Sequence, residues 1–180
     1  MGQSFELWGV GGATRMRNPS LGGFTDSSGS ANYALTDGWK FGFRTAVNSW
    51  RFFGYEFGYS YNRTKLKETI SATEQGMAIH QGTFNMLAYA TPEGSRVRPF
   101  ATGGIHFNNY VPPGSSVTSG GGNTKIGFNY GGGVKFKISD KFGLRFDVRN
   151  YQNGKPFSFL GNRSGLIGLM EISAGFGLVI

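Results

Sequence analysis

The chain has 180 residues, a formal net charge of +8, 38% hydrophobic residues, no Cys, and only His80 and His106 as histidines. That length suits one domain, and the lack of Cys excludes disulfide scaffolds and Cys-ligated zinc; with two histidines no metal or other cofactor is expected. The 31 Gly beside 17 Phe, 8 Tyr and 3 Trp favour strands and turns over helices, and no apolar run reaches the roughly 18 residues of a transmembrane helix.

The first residues, Met1-Gly2-Gln3-Ser4-Phe5-Glu6-Leu7, lack the basic and apolar regions of a signal peptide, so an exported protein is expected here in mature form. A weak two-residue alternation runs from Ser4 to Ala13 and carries Gly9-Val10-Gly11-Gly12. No Lys-Ser or Lys-Thr follows these glycines, which excludes a nucleotide-binding loop. Trp39 to Val47 places Trp39, Phe41, Phe43 and Val47 opposite Lys40, Gly42, Arg44 and Ala46. Phe53, Tyr55, Phe57, Tyr59 and Tyr61 then alternate with Gly54, Glu56, Gly58, Ser60 and Asn62.

Weaker alternation spans Met77 to Ala90 and Arg96 to Val111. From Lys125 to Ile138 the residues Ile126, Phe128, Tyr130, Val134, Phe136 and Ile138 share one face, a longer strand than soluble sheets usually carry. Phe142, Leu144, Phe146 and Val148 alternate with Gly143, Arg145, Asp147 and Arg149. Met170, Ile172, Ala174, Phe176, Leu178 and Ile180 alternate with Glu171, Ser173, Gly175 and Gly177. The spacing predicts eight strands. Short joints fall at Asn48-Ser49, Thr91 to Ser95 and Ser139-Asp140-Lys141. Longer solvated loops are expected at Arg15 to Thr36, Thr64 to Gln75, Pro112 to Asn123 and Asn153 to Gly165. An even number of two-faced strands, with short turns at one end and long loops at the other, is the layout of an outer-membrane barrel.

Alternation does not say which face is outside, but volume does. An eight-stranded barrel encloses just enough space for side chains, and aromatic faces from every strand would overfill it. The aromatics are therefore expected to face lipid. The polar face then carries Glu6, Lys40, Arg44, Glu56, Arg98, Lys135, Arg145, Asp147, Arg149 and Glu171 into the lumen, where charges persist only when paired, and an interior ion-pair network is predicted. Arg145, Asp147 and Arg149 point the same way, with Glu171 on the adjacent strand as their acidic partner. Gly127, Gly131, Gly133, Gly175 and Gly177 are expected to leave water-filled cavities without a continuous wide channel.

The stretches Arg98-Pro99-Phe100-Ala101-Thr102-Gly103-Gly104-Ile105, Asn129 to Phe136, Gly143 to Arg149 and Glu171 to Leu178 resemble the small eight-stranded outer-membrane β-barrels related to the OmpA transmembrane domain and the opacity-type surface proteins. The resemblance covers essentially the whole chain, 1–180, as one barrel domain. It departs at the end: the family's assembly signal usually finishes on an aromatic residue, and this chain stops at Leu178-Val179-Ile180. A trimmed chain or a signal that tolerates Ile is expected. The resemblance implies a monomer in the bacterial outer membrane, among lipid and lipopolysaccharide, inserted by the barrel assembly machinery. It also implies roles in envelope integrity, adhesion or surface interaction.

Some barrels of this architecture modify lipid A or phospholipid. By parity, however, His106 lies in the lumen with Thr102, Gly104 and Asn108, and His80 lies on the lipid side with Phe84 and Met86. Neither pairs with a Ser in a His-x-Ser pattern, so catalysis is not expected. A narrow channel is the chief alternative to a structural or surface role. Arg15, Arg17, Arg63, Lys65 and Lys67 lie in or beside the long loops as candidate contacts for lipopolysaccharide phosphates, equally readable as solubilising loop charges. Basic and aromatic residues segregate to opposite faces, which argues against nucleic acid. Asn62-Arg63-Thr64 and Asn162-Arg163-Ser164 match a permissive glycosylation pattern and read as ordinary loop residues.

Overall fold

Among the described residues ten strands form, in the order β1 (Ser4–Arg17), β2 (Ser20–Asp26), β3 (Gly29–Leu35), β4 (Gly38–Trp50), β5 (Phe53–Glu68), β6 (Glu74–Tyr89), β7 (Val97–Val111), β8 (Asn123–Lys137), β9 (Phe142–Gly154) and β10 (Leu166–Val179). The structure is a computed structural model that describes residues 4–26, 29–68, 73–114, 123–156 and 165–180. Eight of the strands, β1 and β4 through β10, pair antiparallel with their neighbours in a ring that β10 closes on β1. The closing register is unbroken from Glu6↔Val179 to Arg17↔Gly168. Closure leaves the eight-stranded ring without an edge, the condition for backbone to lie in hydrocarbon.

The wall divides by parity. Phe41 and Phe57 are each 55% exposed, Ile105 59% and Ile172 57%, whereas Glu56, Arg145, Arg149 and Glu171 are fully buried. The aromatic face is therefore the outer one. Cross-strand rings reinforce it: Phe43 and Tyr59 have centroids 6.0 Å apart, Phe41 and Tyr61 5.7 Å, Phe57 and Phe84 4.8 Å. Each such pair adds about 0.5–1.5 kcal/mol beyond its buried area.

Three expectations change. First, the segment Arg15 to Thr36 is largely strand: β1 continues to Arg17, and β2 and β3 form a hairpin. That hairpin joins the sheet where Tyr33, Ala34 and Leu35 pair with Glu68, Lys67 and Leu66 on β5. Asn18 makes the reversal possible: it adopts a left-handed conformation (φ 53°), which Asn tolerates better than most residues, just before Pro19. Second, the segment Thr64 to Gln75 shrinks, because β5 runs to Glu68 and β6 begins at Glu74. Third, the lumen glycines mark close approach and not voids. A Cβ at Gly127, Gly131 or Gly133 would collide with a carbonyl oxygen of β9, and at Gly177 with Trp8 and the Leu7 carbonyl. A pocket of about 150 Å³ does open, at the short-turn end, where Glu6, Trp8, Arg98 and Lys135 line it. Parts of the segments Pro112 to Asn123 and Asn153 to Gly165, with Asn162-Arg163-Ser164, lie outside the described residues.

Candidate functional site

The lumen is layered along the barrel axis. Near the short-turn end, Ala46, Leu87, Tyr89 and Phe100 form a small apolar cluster. Beside it Glu6 is the shared acceptor: Lys135 bonds its Oε2, Trp8 Nε1 donates to Oε2 at 2.8 Å, Asn48 Nδ2 donates to Oε1 at 2.8 Å, and Arg98 approaches at 3.9 Å. Lys135 also donates to the Tyr89 hydroxyl at 2.7 Å, and the Arg98 guanidinium lies 3.7 Å from the centre of the Tyr89 ring. Five residues from β1, β4, β6, β7 and β8 thus gather about the Glu6 carboxylate.

The middle layer holds the other seven lumen charges. Asp147 takes a two-pronged bond from Arg145, with Nε at 2.9 Å and NH2 at 2.8 Å, and also binds Arg44 and Arg149, each at 3.0 Å. Glu56, on the far wall, bonds Arg145 at 2.9 Å and Arg149 at 2.8 Å. Glu171 accepts from Lys40, Arg44, Ser173 and, at 2.8 Å, the Tyr151 hydroxyl. The expected partnership of Glu171 with Arg145 and Arg149 is not what forms. Glu171 and Arg149 are register neighbours, yet Arg145 and Arg149 are both already taken up by Asp147 on their own strand and Glu56 on the far wall, which leaves Glu171 to Lys40 and Arg44. All these groups are desolvated, and in such a place a charge persists only with several well-placed partners.

Towards the long-connection end the lumen turns apolar again. Met16, Leu21, Leu35, Met77, Ile79, Tyr110, Tyr151, Ile167 and Leu169 pack as one buried cluster. Leu21 and Leu35, from the β2–β3 hairpin, complete this apolar plug of the lumen. Sequence reading missed this plug. The available signal was β6, where both parities are apolar: Met77, Ile79 and Leu87 on one face, Phe84 and Met86 on the other.

The histidines separate as their parity requires. His106 is buried against Tyr151, with ring centroids 5.2 Å apart and nearly perpendicular. His80 lies on the outer face and hydrogen-bonds the Tyr59 hydroxyl through Nδ1 at 2.6 Å. The five candidate phosphate contacts are all exposed on the outer wall, above the aromatic band. Arg15 and Arg17 are on β1; Arg63, Lys65 and Lys67 are on β5. Lys65 bonds Glu74 at 2.7 Å and so holds the Glu74 carboxyl below the usual carboxylate range. Among the described residues no group of three or more His, Cys, Asp or Glu could hold a metal ion.

This architecture has solved counterparts. Neisserial surface protein A superposes with a TM-score of 0.65 at 17% identity, covering 99% of each chain. OprG from Pseudomonas aeruginosa gives 0.68 at 9% identity, over 98% of this chain and 95% of that one. Ail of Yersinia pestis, solved in complex with the heparin analogue sucrose octasulfate, gives 0.55 at 12% identity over all of both chains. At these identities the likeness is one of fold alone. No curated protein sequence matches the chain. A model of the outer membrane protein β-barrel domain does match, over residues 5–178, which takes in all eight strands of the ring; the chain belongs to that family and is an integral outer-membrane β-barrel.

Proposed function

We propose that this barrel is a closed, non-conducting element of the outer membrane whose work is structural or at the cell surface, through the β2–β3 hairpin and the other long connections. The observation that carries the reading is the double seal of its lumen. Four guanidinium and ammonium groups and three carboxylates are bonded across the middle, and the apolar cluster with Leu21 and Leu35 lies above them. Water and ions would have to break several charge-assisted bonds in a desolvated space to pass. Specificity at such a surface belongs to connecting segments held on a rigid scaffold.

Planar-bilayer recording tests this reading directly. The folded protein should give no discrete conductance steps, and Leu35→Ala should stay silent because the charged layer persists beneath it. Regular steps from the unaltered protein would replace this reading with that of a narrow channel. For the surface role, a chain with the β2–β3 hairpin replaced by a short turn should still insert but lose attachment to the surfaces that cells carrying the intact protein bind.

A further inference from the structure

The outer wall is not uniformly bulky. Along the upper half of β6 the outward residues are Gly76, Ala78, His80 and Gly82, flanked by larger side chains on both sides. Tyr59, Tyr61 and Arg63 stand on β5, and Phe107 and Val111 on β7. A groove of about 440 Å³ lies at this level, between Phe57, Tyr59 and Phe84 on one side and Ile105 and Phe107 on the other, with the Phe107 ring lying over Gly82. Its size falls within the range of small-ligand sites. Its large apolar lining side chains belong to the lipid-facing set, so it opens sideways to the hydrocarbon.

The furrow changes chemistry as it rises. Two rungs above Gly82 sits the Tyr59–His80 hydrogen bond, at 2.6 Å. Two rungs higher is Arg63, whose guanidinium leans over β6 against Gly76. Lys65 follows opposite Gly76, with Lys67 beyond it and Glu74 as the acidic group sharing the rim. Four residues of strand separate the Gly82 and Arg63 levels, about 13 Å at 3.3 Å per residue. Apolar groove, polar pair and cations therefore follow one another in the order of acyl chain, ester carbonyl and phosphate in a phosphorylated lipid.

We propose that this furrow docks lipid A, the phosphorylated lipid of the outer leaflet, with an acyl chain in the groove and a phosphate on Arg63 and Lys65. Charge complementarity selects the occupant: two adjacent outward cations meet a headgroup carrying phosphates, and a guanidinium binds phosphate through paired N–H groups. Lys65 gives up little, since its bond to Glu74 is exposed and screened. Arg15 and Arg17 crown a different sector, on β1, and so report on positive charge without the groove.

Native mass spectrometry of the detergent-folded protein decides the matter, with bisphosphorylated lipid A, its dephosphorylated form and phosphatidylglycerol each added at equal concentration. A heat-modifiable gel band establishes that every variant is folded. The expected result is a one-to-one lipid A adduct, weakened about tenfold or more, the size of one lost charged contact, in R63A/K65A, and weakened also in I105W, which fills the groove from an exposed position. R15A/R17A should bind as the parent does. Equal affinity for phosphatidylglycerol would overturn lipid A as the occupant, equal loss in R15A/R17A would reduce the effect to general charge, and absence of an adduct would overturn the site.

Discussion

At the scale of single residues, the charges divide into two populations that obey different rules. The lumen groups of the middle layer are desolvated, so each is held in place by the partners it would strand if removed. Glu56→Gln leaves Arg145 and Arg149 sharing Asp147 alone, and should destabilise the barrel by about 3–5 kcal/mol. Urea unfolding in lipid vesicles, followed by the gel-mobility shift, measures it. Lys65→Ala breaks an exposed pair and should change the same midpoint by less than about 1 kcal/mol. The contrast between the two variants is the informative quantity. Parity alone told which charges point inward, because a side chain's face follows from its position along a strand. It could not assign partners: Glu171 bonds Lys40 and Arg44 of β4, two strands away, and leaves its register neighbour Arg149 to Glu56 and Asp147.

Elements add constraints that no single side chain shows. Gly131 faces the lumen where the Val148 carbonyl and Arg149 already occupy the space a Cβ would need. Gly131→Val should therefore spread β8 from β9 and cost about 1–3 kcal/mol or more, read as a lowered unfolding midpoint or loss of the folded gel band. The β2–β3 hairpin is the other element-scale device. Its Leu35 is buried in the mouth cluster, so Leu35→Ala should cost about 2–5 kcal/mol and make the hairpin a preferred site of protease cleavage in intact vesicles. Composition hid this hairpin. Residues 15–36 are rich in Gly, Ser, Thr and Asn, as loops are, and only the pairing of β3 with the top of β5 gives those residues a sheet to join.

For the whole molecule, the deciding fact is that its solvent is lipid on one side and its own side chains on the other. Ile172 lies midway along β10 and faces outward, so Ile172→Arg should destabilise the folded barrel by about 2–4 kcal/mol, the cost of a cation near the bilayer midplane. Vesicle unfolding checks it, and a neutral result would mean the apolar face is not in hydrocarbon. By itself the sequence determined the membrane barrel, its eight wall strands, its inside and its outside, because strand alternation is local and the volume of a small barrel admits only one orientation of the aromatics. The tertiary structure alone decided who bonds whom across the lumen, that Leu21 and Leu35 of a hairpin join the apolar plug, and that a groove opens on the outer wall beside β6. Each of these depends on residues far apart in the chain being brought within a few ångströms by closure of the sheet, and no local pattern encodes that distance.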